Sequence, residues 1–320
     1  MPWVLLLISG PVHAQLNRGA FTFLDVPSSA RQAALGGVNV SLADRDPAAF
    51  ISNPALAGDT LSGFAAATYQ FYVGDIGHAN FSWLPRIGKF GTVAFGVQHF
   101  RYGSIPAYDA SGNELGEFHA NETALYVSKQ RQVRNFRFGA SLKLVSSSLA
   151  GFRSEAIGVD LGGLFVHPEH EFTIGLVVKN AGFVLRDYSP ASNSVLPFDV
   201  QAGMTFKPEH MPVRFSVAVH RLAQAGESTA NDSGGLDKVF RHFNFGAEVL
   251  LHRNVNVLVG YNYGLHRELQ LESAGGSAGL TYGFSAQIRT VTFAFARSTY
   301  VAGSAAYTMT LAVDLQSILR

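Results

Sequence analysis

The chain has 320 residues, 47% hydrophobic and only 15% charged, with a formal net charge of +1, and so lacks the basic footprint of a nucleic-acid-binding protein. It has no cysteine, which excludes disulfides, thiolate metal sites, a thiol nucleophile and lipidation on an N-terminal cysteine. No apolar run is long enough for a transmembrane helix, so a membrane span would have to come from a closed β-barrel, the other structure that satisfies its backbone in lipid.

Residues 1–14 read as a secretory signal. Residues 3–8 are its apolar core, and Val12-His13-Ala14 before Gln15 is a small-residue cleavage site, with cleavage expected after Ala14. No Lys or Arg precedes Arg18. A buried apolar strand is the competing reading, and a misassigned start codon would also explain the missing charges.

Residues 15–60 do not share the alternating pattern of the rest of the chain. Pro27-Ser28-Ser29 can cap a short helix from Ala30, and Gly36-Gly37 can end it. Residues 38–42 are a short extended piece. Asp46-Pro47 and Asn53-Pro54 each force a turn and start a short helix. Such a segment ahead of a barrel makes a plug, with Asn53 expected to bond backbone groups there.

From residue 61 the chain reads as fourteen alternating strands: 61–73, 76–85, 90–103, 118–131, 135–148, 154–167, 171–182, 197–206, 213–222, 241–252, 255–266, 277–287, 290–299 and 305–315. Most are about ten residues, the length of a tilted strand crossing a bilayer. Long connections (104–117, 183–196, 223–240, 267–276) take turns with tight ones (86–89, 131–134, 168–170, 207–212, around Asn254, and Ile288-Arg289). Tight periplasmic turns opposite longer outer loops characterise an outer-membrane barrel. A soluble half-buried sheet has the same period but no reason to sort loops by parity. The even count places both termini in the periplasm. The expected fold is all-β: a 14-stranded antiparallel transmembrane barrel over 61–320 with a plug at 15–60.

Within strands one face is apolar. Val213, Phe215, Val217 and Val219 alternate with Arg214, Ser216 and Ala218; Val255, Val257 and Val259 alternate with Asn256 and Gly260. The second face carries Arg137, Lys143, Arg214 and Asn256 into the lumen. Those cations either line an anion path or pair with plug carboxylates such as Asp44 and Asp46. His167-Pro168-Glu169-His170 and Pro208-Glu209-His210 fall in neighbouring turns and read as polar turn chemistry rather than a zinc or copper site. No nucleophile elbow and no phosphate or calcium loop is expected, so the chain reads as a non-enzyme without a cofactor.

An ordered set of motifs resembles a known family. Phe23-Leu24-Asp25-Val26-Pro27-Ser28-Ser29-Ala30-Arg31, Gly36-Gly37, the turn at Asp44 and Asp46, and Asn53-Pro54-Ala55-Leu56 look like the hatch of FadL-like outer-membrane barrels. More narrowly, they look like the PorV/PorQ family of the type IX secretion system. Gly158-Val159-Asp160-Leu161-Gly162, Val178-Lys179-Asn180-Ala181-Gly182, Leu196-Pro197-Phe198-Asp199 and Gly260-Tyr261-Asn262-Tyr263 come in the family's order. The resemblance implies a FadL-type fold and a hatch motif of Arg31, Gly36, Gly37, Asp44, Asp46, Asn53 and Pro54. It also implies an anchoring role in the cell-surface attachment complex, holding a PorZ-like protein that recognises anionic lipopolysaccharide, alongside PorU and PorV. The chain departs from a usual insertion signal by ending away from an aromatic residue, which shifts that role to Tyr307, Leu311 and Leu315.

Two other functions share the fold: a transporter of hydrophobic small molecules, and a PorV-like cargo shuttle. The outer loops are mostly polar, which favours a protein partner. On the anchor reading the contact surface is 183–196 and 223–240, with Tyr188, Leu196 and Leu236 as its apolar residues.

Overall fold

The computed structural model describes residues 20–224, 235–269, 277–301 and 304–318. The expected signal segment, 1–14, lies outside them. Fourteen strands form the wall: β1 Phe64–Phe71, β2 Gly77–Trp83, β3 Gly91–Tyr108, β4 Glu114–Val133, β5 Phe136–Leu149, β6 Phe152–Val166, β7 Phe172–Arg186, β8 Asp199–Phe206, β9 Val213–Val219, β10 Phe243–His252, β11 Val255–Asn262, β12 Leu280–Ile288, β13 Val291–Val301 and β14 Ser304–Asp314. Arg86–Ile87 adds a two-residue ladder against the start of β3. Each strand pairs antiparallel with its sequence neighbours, and β1 also pairs with β14 from Phe64↔Asp314 to Phe71↔Tyr307. The ring is closed.

The period-two pattern decides which face is which. Phe81, Leu144, Leu176, Val259 and Leu311 are 49%, 49%, 54%, 45% and 49% exposed, whereas the neighbouring Ser82, Lys143, Val177, Leu258 and Thr310 are buried. A belt of large apolar side chains this extensive is stable facing lipid, not water. The protein is an outer-membrane-type barrel, apolar outside and mixed inside, with polar and small residues beside a few large apolar ones.

The periplasmic turns follow from local geometry. Residues 134–135, 253–254 and 289–290 each join two strands directly; Arg134 and Arg289 adopt φ of 53° and 54°, the left-handed backbone that tight hairpins favour, while the turn at 253–254 follows a register shift at Leu250/His252. At the outer end, Ala150 and Gly151 do the same with φ of 49° and 86°. The outer connections are therefore of mixed length.

Several expected boundaries move, and those at 104–117 and 255–276 move furthest. The expected loop 104–117 is mostly strand: β3 and β4 stay paired from Ser104↔His119 to Tyr108↔Glu114. The turn between them is tied by Asp109, whose Oδ1 accepts from the N–H groups of Ser111 and Asn113 at 2.8 Å each. β2 leaves β3 at Arg101 and β5 reaches β4 only up to Ala120. Beyond these points the two strands pair only with each other and stand clear of the rim. The expected strand 255–266 stops at Asn262, where the Asn262 side chain accepts from the Leu265 N–H (2.8 Å) and starts the helix Tyr263–Leu269. That helix also takes the start of the expected loop 267–276, of which 270–276 lie outside the described residues.

The segment before the wall contains no strand among its described residues. It folds as short helical turns, Thr22–Asp25, Ala49–Ile51, Pro54–Leu56 and Asp59–Leu61, and one α-helix, α1, Ala30–Ala34. Phe21, Phe23, Leu24, Phe50 and Ile51 pack against the inward wall residues Ala94, Ala124, Tyr126, Val145 and Ala156. The segment is inside the barrel.

Val259→Arg, which puts a charge on the lipid face in the middle of β11, should destabilise the barrel by about 2–4 kcal/mol, read from the denaturant midpoint of folding into liposomes.

Candidate functional site: the plug seat and the lumen

The plug is held by side chains. Ser29 caps α1, its Oγ accepting from the Gln32 N–H at 3.2 Å. The helix ends at Leu35, and Gly36 and Gly37 turn the chain with φ of 93° and 89°. Gly36 then docks on the wall. Its N–H donates to Thr281 Oγ1 (3.0 Å), and its carbonyl accepts from Asn244 Nδ2 (2.9 Å). The wall admits it because β11 has Gly260 there; a Cβ at that position would lie 2.2 Å from the Gly36 nitrogen.

Asn53 pins a second point. It is fully buried; its Nδ2 donates to the carbonyls of Val40 (2.8 Å) and Gly163 (3.3 Å), and its Oδ1 accepts from the Ala55 N–H (3.0 Å). Pro54 starts the next turn and presses on Gly139 of β5, where a Cβ would lie 2.2 Å from the Pro54 carbonyl carbon. A Cβ at Gly162 of β6 would lie 1.9 Å from Asn53 Oδ1.

An ion cluster makes the third. Arg31 Nη2 reaches Asp44 Oδ2 (2.8 Å) and Glu248 Oε2 (2.7 Å), and Arg214 Nη1 reaches the same two oxygens at 2.9 Å each. Asn256 Nδ2 donates to Glu248 Oε1 at 3.1 Å. Two guanidinium groups and two carboxylates thus bridge the plug to β9 and β10. Burial works against ionising Asp44, but Arg31 and Arg214 outweigh it and hold its carboxyl below the usual carboxylate range.

The lumenal cations behave differently from one another. Arg214 meets Asp44. Lys143 instead pairs within the wall, with Asp160 at 2.8 Å. Arg137 lies against Gly58, and its Nε has no partner among the described residues. Among the described residues Asp46 meets no wall cation; it accepts from Ser29 Oγ (2.5 Å) and the Ala48 N–H (3.0 Å) and so braces the plug internally. Glu248, the hub, does not stand out in the sequence. Its inward position is legible there, because Asn244, Gly246 and Glu248 alternate along β10, but its partner on the plug is not.

One residue expected on the partner surface is placed elsewhere. Leu196 is buried, not exposed: the chain after β7 folds back into the lumen and puts its side chain over Gly158 and Gly182, in the cluster that holds Phe21 and Phe23. Tyr188 is half-buried, its hydroxyl donating to Ser147 Oγ at 2.5 Å. Leu236 lies in the helix Gly235–Phe240, but its side chain is outside the described residues, as are residues 225–234. In the periplasmic turns the rings of His167 and His170 stack at 4.7 Å and His170 faces Glu209 at 3.1 Å. Among the described residues no three His, Asp or Glu side chains gather to hold a metal. Gly275-Gly276-Ser277-Ala278-Gly279 has the spacing of a nucleophile elbow, but it runs into β12, whereas an elbow joins a strand to a following helix.

The plug leaves space on both sides. Toward the periplasm a cavity of about 330 Å³ is lined by Arg31, Asp44, Asp46 and Asn256. Toward the outside a cavity of about 230 Å³ lies between the plug and the wall, lined by Asp25, Tyr72, Asp199, His220 and Tyr300.

No protein-family model matches the chain, and no curated protein matches it. Solved structures do. A TodX monoaromatic hydrocarbon channel mutant is similar with a TM-score of 0.53 at 14% identity, over 89% of this chain and 97% of that one. A Pseudomonas aeruginosa FadL homologue is similar with a TM-score of 0.53 at 9% identity, over 90% of this chain and 98% of that one. The fold is that of the FadL/TodX outer-membrane barrels. The plug occupies the place of the hatch expected from the sequence.

Asn53→Leu should lower the yield of heat-modifiable folded barrel, read on gels with and without boiling, because it leaves the Val40 and Gly163 carbonyls without their donor. Glu248→Ala should cost about 3 kcal/mol, since it leaves two half-buried guanidinium groups sharing the single carboxylate of Asp44. A depressed carboxyl stabilises the folded state fully above its unfolded value, about 3.9, and progressively less as pH falls below it. Hatch protection from protease should therefore weaken below about pH 4, and Asp44→Asn should flatten that dependence.

Proposed function

We propose that this chain is a hatch-gated outer-membrane channel that passes small hydrophobic molecules. One observation carries the reading. Among the described residues, no hatch segment joins a strand ladder of the wall, and the polar ties at Gly36, Asn53 and Arg31 all involve side chains. The hatch can shift without opening the hydrogen-bonded ring. The likeness to a barrel described as a monoaromatic hydrocarbon channel supports the same reading.

The test is uptake. Cells carrying the wild-type protein should take up radiolabelled toluene faster than cells with an empty vector. In planar bilayers Glu248→Ala, with its latch removed, should conduct at least several-fold more than wild type. Toluene uptake at the empty-vector level, together with unchanged conductance of the unlatched variant, would reject the channel.

A second reading keeps the narrower resemblance to the PorV/PorQ family and makes the barrel an anchor for a PorZ-like surface protein. The observation that favours it is the free-standing hairpin of β3 and β4, which displays Tyr108 and Leu115 at 60% and 68% exposure. Affinity purification in mild detergent should then recover a surface protein with the wild type, and lose it when residues 104–117 are shortened to a tight turn.

A further inference from the structure

The space on the outer side of the hatch has an uneven charge. Asp25 ends the first hatch turn and lines the cavity, where it is exposed and has no hydrogen-bond or ion-pair partner among the described residues. Asp199, at the outer end of β8, is 6% exposed; one oxygen accepts from Gln201 Nε2 at 2.8 Å and the other has no partner among the described residues. His220, 7% exposed, leaves its Nε2 unpartnered among the described residues. All three line the cavity.

Nearby cations do not balance these carboxylates. Arg221 also lines the cavity, but its guanidinium is held by Glu268 at 2.9 Å, and Lys143 is held by Asp160 at 2.8 Å. Lys179, opposite Asp199 in the β7–β8 ladder, remains for both Asp25 and Asp199. Farther round, Glu122 accepts from the Tyr102 hydroxyl at 2.5 Å and has no cation partner among the described residues. Two cavity carboxylates, Asp25 and Asp199, thus face one ammonium, that of Lys179, without an ion-pair partner among the described residues. Tyr72 and Tyr300 close one side of the cavity, their rings 6.0 Å apart.

We propose that the cavity between the hatch and the outer mouth binds a small organic cation, a primary or substituted ammonium on an apolar body. The carboxylates of Asp25 and Asp199 take the charge, His220 Nε2 accepts a further N–H, and the faces of Tyr72 and Tyr300 take the apolar body and share the charge. A volume of about 230 Å³ suits a single-ring molecule. The site stands on the lumen itself and does not require that the molecule cross the membrane, so it can fail while the channel reading holds, and the reverse.

The test uses the mature protein purified in detergent and three probes of one size: benzylammonium, benzyl alcohol and phenylacetate. Calorimetry and ligand-observed NMR should show benzylammonium binding at least tenfold tighter than benzyl alcohol, with no binding of phenylacetate. Asp25→Asn and Asp199→Asn should each weaken benzylammonium at least fivefold while the heat-modifiable band is unchanged. If a variant fails to fold, the wild-type order of the three probes still decides. Equal binding of the alcohol, preference for the anion, wild-type affinity in both variants, or displacement by an equal concentration of NaCl would overturn the assignment.

Discussion

In lipid a backbone N–H or C=O without a partner costs several kcal/mol, so a strand in the membrane must be paired on both sides. The ladder between β1 and β14 meets that demand for the two strands that would otherwise be edges. Once the ring is closed, the number of strands sets its width. Eight strands enclose a space that side chains can fill, and sixteen or more leave an open channel. Fourteen fall between, too wide for the inward residues to meet across the middle. The hatch follows from that width: Phe21, Phe23, Phe50 and Ile51 supply the apolar volume that the wall's own Ala94, Ala124 and Ala156 are too small to provide.

Because the ring already satisfies the wall, it can offer the hatch few backbone groups. The hatch must satisfy its own polar groups with caps and turns, and it touches the wall mainly at places where the wall has been cut back to glycine. Gly139, Gly162 and Gly260 lie on three different strands, and each faces a backbone or amide atom of the hatch closer than a methyl group would allow. Shape locates the hatch, while the Arg31–Asp44–Arg214–Glu248 cluster fixes its rotation. Geometry of this kind sets a barrier that any hatch movement must cross, since the glycine contacts are short-ranged and a charge moved out of the cluster leaves its partners short of a counter-charge.

Sequence and structure agree best where a rule is local. Alternation along 213–219 and 255–259 reveals the lipid face, Arg134 and Arg289 fall in the turns that the tight connections demand, and the closed fourteen-strand ring follows from their order. Disagreement appears where no rule limits the chain. Residues 104–117 are polar and glycine-containing, which reads as loop, yet two strands that bond each other need neither lipid nor a third partner. Leu196, an apolar residue in a polar connection, reads as an exposed contact because sequence cannot show a loop folding into a lumen. Glu248 is visible as inward-facing, but its meeting with Arg31 spans more than two hundred residues and depends on how the hatch is rotated.

The hairpin above the rim has an outcome of its own. Each of its strands turns one side of its backbone to water, and such an edge invites a second copy to add a strand. The local residues discourage this. Pro106 has no N–H to offer, the β3–β4 register is broken after Arg101 and again after Ala107, and Gly116 bends the other strand with φ of 100°. Glu114 and Glu117 add two exposed carboxylates to the second strand. The hairpin is thus built against edge-to-edge association, and any molecule that recognises it must read its side chains and its turn rather than extend its sheet.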